Sequence, residues 1–546
     1  MVSQSLRSAI ATFGIGAALL ATPYTVSQAT AQQGWRFHLE EATIADVHRA
    51  IRARQITAEQ LVSLYFKRIE AYNGTCVKGD IDPATGLMLG DLTPIENAGQ
   101  LNAYMTLNVR GQRSKTDKAD NDAKIADALE VARAQDAHFA RTGEFVGPLH
   151  GIPFAIKDNY DTVDMRTTAG AAAAYANDKP PKDATMVAKL RAAGAIILGK
   201  TNLDEYAPAG IARSSLGGQT CNPYDTKRVP AGSSGGSGAA VAAGMVPLAV
   251  GSDTGGSVRM PAGFCATVGI RPTYGLVPTG GVVPLAPSFD CVGVLAREVR
   301  DAASALTVLA GVRAGRGSGR RLDGGSRGGL DGMRVGVPNG HDPALGPDQA
   351  AALTAAADAC AGLGAAVVPV RLPSEREVLE DFARVQAAEA LALHAGPLGT
   401  WPAARDLLGS DVRDRLAEAD RTAAEQRGAG QGGAGLDASL ARLAEVRHAV
   451  AALDVDLAIA PTAACGPATV ACPDGPGGSF RALVVGCNVL QSVTGVPSVA
   501  VPAGLDGDGL PVGVQLWGPA GADWTVLAAA GLLREVLRPR LPTGPP

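Results

Sequence analysis

The chain has 546 residues, with 49 Lys and Arg against 53 Asp and Glu, a formal net charge of −4 and 46% hydrophobic residues. That length holds a large core in one to three domains, and the composition excludes a disordered or collagen-like chain. A near-neutral balance supplies no electrostatic basis for nucleic acid or an anionic membrane as partner.

In chain order, Arg7, the apolar run Ala9–Ala21 and the small-x-small triplet Ala29-Thr30-Ala31 read as a secretory signal peptide over residues 1–31, removed in the mature protein. The run is short for a membrane span, so export to the periplasm or the outside is expected, without stable membrane insertion. Residues 32–546 are then read as one domain. Thr43 to Tyr72 predicts two helices: Ile44, Val47 and Ile51 share a face, and Thr57 with Gln60 forms a capping box before Leu61, Leu64, Tyr65 and Ile69. Residues 73–100 read as loop, and Lys124–Arg141 as a helix. A short apolar run, Phe154–Ile156, reads as a strand with Lys157 at its end.

From there strand and helix alternate: Met186–Ala193, the strand at 195–199, a helical segment Ala239–Gly244, a strand at 333–338, a helix near Ala350–Leu363, strands at 365–370, 457–461, 498–502 and 512–518, and the helix Thr525–Leu537. This alternation predicts an α/β fold with a sheet covered by helices. The Gly-rich segments Ala314–Gly332 and Gly428–Gly435 read as surface loops, since the rhythm is the same on both sides.

Eight cysteines, at 76, 221, 265, 291, 360, 465, 472 and 487, show no metal-type CxxC pairing. Export permits disulfides, and the proximity of Cys465 and Cys472 makes them the first pair to test; buried small hydrophobes are the other reading. No metal and no cofactor is expected, because no zinc-helix pattern is present in the sequence.

The chemistry concentrates between Pro230 and Pro261. GSSGG at 232–236 and DTGGS at 253–257 are serine-bearing glycine loops, suited to presenting bare N–H groups to an anion. Their alternative reading is a pair of tight turns. Gly232-Ser233-Ser234-Gly235-Gly236 fits G-x-S-x-G, but the elbow needs a strand running into the serine, and Pro230 opposes one. His341, His394 and His448 lie in no distinctive context. A serine lacking a histidine base can be activated by a desolvated neutral lysine, and Lys157 in its apolar stretch meets that need, unless it is a snorkelling surface side chain.

Lys157, the GSSGG loop, Asp253-Thr254-Gly255-Gly256-Ser257-Val258-Arg259, and flanking segments such as PLHGIPFAIKDN, AAGAIILGKTNLDEYA, GIRPTYGLVPTGG and GLPVGVQLWGP together resemble the amidase signature family over roughly Thr43 to Leu537. The resemblance implies a single large mixed β-sheet covered by helices on both sides. It implies Ser257 as nucleophile, Ser233 on a cis peptide as proton relay, and Lys157 as base. Backbone N–H groups of Thr254, Gly255, Gly256 and Ser257 would form the oxyanion hole, with Ser234, Asp253 and Arg259 in support. The implied activity is an amidase acting on a small-molecule amide. Alternatives are an ester or carbamate hydrolase on the same residues, an amidotransferase A-type subunit, or a non-catalytic binder. Against the amidotransferase stands the signal peptide, and also Ile211–Gly218, which lacks an expected acidic residue. Residues 73–110 and 380–440 are the candidate acyl-pocket segments, Trp401 reads as a core or pocket residue, and a homodimer is left open.

Overall fold

The structure, a computed structural model, describes residues 37–81, 88–113, 124–172, 180–312, 329–341, 345–429, 433–472 and 480–537. The expected signal peptide and most of Ala314–Gly332 lie outside the described residues. Residues from His38 onward belong to one compact unit.

Its organising element is a mixed sheet of eleven strands. Fifteen strands are described in all. In chain order they are β1 Val77–Ile81, β2 Met88–Pro94, β3 Tyr104–Leu107, β4 Pro153–Lys157, β5 Ile196–Thr201, β6 Arg213–Ser214, β7 Gly218–Gln219, β8 Leu248–Asp253, β9 Val268–Arg271, β10 Cys291–Ala296, β11 Arg334–Pro338, β12 Ala366–Val370, β13 Leu457–Pro461, β14 Ser498–Leu505 and β15 Pro511–Trp517. The large sheet runs β12-β11-β13-β15-β14-β9-β10-β8-β4-β5-β3. Parallel pairing joins β12, β11 and β13 on one side and β8, β4 and β5 on the other; the strands between pair antiparallel.

Strands β4, β5 and β8 are buried at every position, so both of their faces are covered, as parallel strands require. Their near-continuous apolar sequences follow from that double burial. The expected helices form, with capping boxes at Thr43 and Thr57, and the Ala-rich helix spans Ala128–Thr142 with its own box at Asp127.

Sequence and structure part in several places. Residues 73–100 contain the antiparallel hairpin β1–β2 rather than loop alone; its Gly- and Asp-rich strands carry no apolar alternation to announce them. The loop expected over Gly428–Gly435 is shorter than that, since Gly428 ends the helix Ser410–Gly428 and Gly435 lies in the helix Ala434–Ala451. The disulfide joins Cys76 to Cys221, whereas Cys465 and Cys472 are free. Proximity in sequence does not bring the latter pair together. Cys76 and Cys221 meet because the chain after the second helix folds back: Cys221 N donates to Leu101 O (3.0 Å) and Ile95 N to Cys76 O (2.9 Å). Trp401 is half-buried against a small cluster around Leu408 and Leu416, with Nε1 donating to Asp420.

The disulfide spans 145 residues of chain, so it constrains a long loop in the unfolded state. Cys76→Ser is expected to lose roughly 2–5 kcal/mol of stability in denaturant unfolding. The same titration on the wild-type chain should shift with reductant, and on the variant should not.

Candidate active site

Lys157 is the last residue of β4, and β8 runs parallel beside it with Ile156 opposite Val250. The pairing brings Ser252, near the end of β8, next to the lysine. Lys157 is fully buried; its Nζ donates to Ser233 Oγ at 2.6 Å and to Ser252 Oγ at 2.8 Å. Asn159 Nδ2 donates to the same Ser252 hydroxyl at 3.0 Å. Burial pushes the ammonium down from its ordinary value to about 7, against the opposing pull of Asp204, Asp253 and Asp290. A snorkelling lysine would keep its head in water, which this one does not.

Ser233 follows a cis Gly232–Ser233 peptide bond. No strand runs into it, so the hydrolase-elbow reading fails on backbone grounds. Asp204 holds the neighbouring loop by accepting N–H groups from Gly210, Ile211, Ala212 and Arg213. Gly232 lies against that loop so tightly that an added Cβ would stand 2.6 Å from Asp204 Oδ2. The helix Gly235–Ala242 then starts directly after Ser234, and Gly236 is required there: a Cβ would collide with the backbone oxygen of Asn202.

The second glycine loop is tied to the first through Ser234. Its N–H donates to Ser257 O (3.1 Å), and its hydroxyl to Ser252 O (3.2 Å). The Ser257 hydroxyl makes no hydrogen bond among the described residues, and none joins it to Ser233 Oγ in this resting geometry. Ser257 is nearly buried, at 6% exposure.

Asp253 braces the loop. Oδ1 accepts from Gly256 N, Arg259 Nη2 and Arg271 Nη1, each at 3.0 Å; Oδ2 accepts from Val258 N and Arg259 Nε, each at 3.1 Å. Burial would raise this carboxyl, but the two guanidinium groups more than offset it and hold it well below the usual carboxylate range. Arg259 continues into the helix Phe480–Thr494 and β15 through Asn488 O, Ser492 Oγ and Gln515 Oε1.

One consequence departs from the sequence expectation. The Gly256 N–H is occupied by Asp253, so it is not free for an oxyanion; those of Thr254, Gly255 and Ser257 have no acceptor among the described residues. Gly256 has φ +115°, and its Cβ position lies 2.6 Å from Asn488 Cβ, so the residue shapes the turn. Thr254 Oγ1 donates to Asp290 Oδ1 at 2.6 Å, fixing the loop's other side. Sequence reasoning missed Ser252, Asn159, Asp204, Asp290 and Asn488. Only Ser252, inside the GSDTGGS run, carried a local signal. Among the described residues no group of three His, Cys, Asp or Glu is placed to hold a metal, and no helix is long and apolar enough to cross a membrane.

Two buried hydroxyls on an amine, beside a glycine turn with free N–H groups, can generate a nucleophile and hold an oxyanion. Comparison with known proteins agrees in kind. The Amidase family pattern matches residues 111–527. The chain is 37% identical over 442 residues to the A-type subunit of glutamyl-tRNA(Gln) amidotransferase from Symbiobacterium thermophilum, covering 75% of this chain and 88% of that one. It is 33% identical over 530 residues to the corresponding protein of a Roseiflexus species, covering 91% and 97%. The native peptide amidase of Stenotrophomonas maltophilia superposes with a TM-score of 0.72 at 30% identity, covering 93% of this chain and 98% of that one. On the breadth of that match, the chain belongs to the amidase family.

Proposed function

We propose that the protein is a serine amidohydrolase that cleaves a small-molecule carboxylic amide through an acyl-enzyme on Ser257. The observation that carries this reading is the buried amine of Lys157, 2.6 Å from Ser233 Oγ and lowered to about 7. At neutral pH a large fraction of it is uncharged. With an N–H directed to Ser252, its lone pair is available to accept the Ser233 proton.

In the reaction, Ser257 Oγ attacks the amide carbon as its proton passes to Ser233 Oγ and the Ser233 proton passes to Lys157 Nζ. The C–O bond forms, and the carbonyl oxygen becomes an oxyanion held by the N–H groups of Thr254, Gly255 and Ser257. The relay then runs backwards: Ser233 protonates the departing nitrogen, Lys157 returns its proton to Ser233, and the C–N bond breaks. Water repeats the sequence on the acyl-enzyme, releasing the acid and restoring Ser257. Ser234, Asp253 and Arg259 keep the two loops in register and do not touch the reacting atoms. Ester or carbamate substrates would use the same steps.

A second reading, ammonia release from glutamine as an amidotransferase component, is favoured by the 37% identity to an enzyme of that kind. It is separated by assaying glutamine with and without partner subunits. Export belongs to the proposal too. It is supported by the N-terminal pattern and by the Cys76–Cys221 disulfide, a bond suited to an oxidising compartment. Intact-mass analysis of the exported protein should find a mature chain starting at Gln32; full-length protein retained in the cytoplasm would contradict it.

Ser257→Ala is expected to lower kcat/KM for amides by at least about 10^4-fold, and Lys157→Ala by about 10^2- to 10^4-fold, in steady-state hydrolysis. Because the protonated lysine cannot accept a proton, kcat/KM should fall on the acid side with a midpoint near 7. A profile flat through that region would remove the lysine from the relay.

A further inference from the structure

A cavity of about 720 Å³ is formed by the helices Glu375–Ala395 and Ser410–Gly428 and by the start of Ala434–Ala451. Its walls are largely small and apolar, including Ala383, Ala387, Leu391, Leu416, Ala419 and Ala423. Two of its lining residues belong to segments that also brace the serines. Pro208 lies in the loop held by Asp204 against Gly232, and Leu285 N donates to Asp290, the partner of Thr254. Phe382, next to Ala383, closes on Gly255, where a Cβ would stand 2.9 Å from Cζ.

Into this apolar wall the chain places Arg481. Nε donates to Pro208 O at 3.2 Å and Nη2 to Gln386 Oε1 at 2.8 Å, both neutral acceptors. Among the described residues no carboxylate pairs with it. Burial lowers the guanidinium to about 10; nearby Arg415 adds to the effect and Asp204 opposes it, and the group is still a cation at neutral pH. It sits in the first turn of the helix Phe480–Thr494, where a positive charge has the wrong sign for the helix dipole, so helix stability does not explain it.

The rest of the cavity's charge leans the same way. Asp414 and Glu418 also line it, but each is matched locally, by Arg413 and Arg421. Arg384 is matched by Asp381. Arg415 and Arg427 have no ion pair among the described residues. An apolar cavity with an uncompensated cation is complementary to an apolar chain ending in an anion.

We propose that this cavity receives the distal part of the substrate, an apolar segment ending in a carboxylate that pairs with Arg481. The preferred substrates are then amides carrying a negative charge away from the scissile bond. This rests on the serine amidohydrolase reading above, and the test separates the two. The full-length chain is assayed on two matched pairs: adipamic acid against hexanamide, with the charge on the acyl side, and N-acetyl-ε-aminocaproate against N-hexylacetamide, with the charge on the amine side. In at least one pair kcat/KM is expected to favour the carboxylate by about 10- to 100-fold, the range of a hydrogen bond to a charged group. In Arg481→Gln that ratio should fall to about one, and Arg481→Lys should keep part of it. Hydrolysis of the neutral amides with no carboxylate preference in either pair overturns the substrate inference alone. A wild-type preference that survives Arg481→Gln does the same. No hydrolysis of any of the four overturns the amidohydrolase reading, and this inference with it.

Discussion

The active centre depends on keeping one amine out of water. Lys157 stands at the end of a strand whose every residue is buried, between β5 and β8, and its head group is buried with it. Desolvation costs the charged form far more than the neutral one, and three carboxylates only partly restore the balance. The same burial brings Nζ to two hydroxyls and lets Asn159 hold one of them. Lys200 on the neighbouring strand β5 is equally buried, but its Nζ is paired with Asp158 Oδ1 at 3.0 Å rather than set against serine hydroxyls.

A second constraint sits beneath the nucleophile's loop. Asp253 is buried with two arginines, and such a carboxylate is stable only when its own oxygens are well satisfied. Here the carboxylate takes five donors, two of them from the backbone of the turn that carries Ser257. Arg259 passes the restraint on to β15 and the helix Phe480–Thr494. The loop's position is thereby set by elements from the far end of the chain. The free N–H groups of Thr254, Gly255 and Ser257 follow from this bracing, because the carboxylate claims Gly256 and Val258 instead.

Much of this was legible because the decisive residues are chemically loud. A lysine ending an apolar run, and two serines in glycine loops, stand out from their surroundings, and their combination resembles one family. The alternation of β4, β5, β11 to β15 and their helices was equally plain, since these strands are short apolar runs between helical patterns. What escaped notice was quiet or long-range. Ser252 and Asn159 are ordinary polar residues until the parallel pairing of β4 and β8 sets them beside the lysine. Cys76 and Cys221 are bonded by a fold-back that no local spacing foretells, whereas the adjacent-looking Cys465 and Cys472 are not. The β1–β2 hairpin lacks periodicity, and Arg481 is one of 49 basic residues until its neighbours prove to be alanines and neutral acceptors.

The most direct test is the titration of Lys157 itself, followed by NMR of lysine carrying 13C at Cε, with the Lys157→Met protein identifying the signal. A midpoint near 7 is the expected result. A midpoint near the ordinary ~10.4 would show an ammonium ion at working pH, unable to take a proton from Ser233, and would contradict the proposed relay.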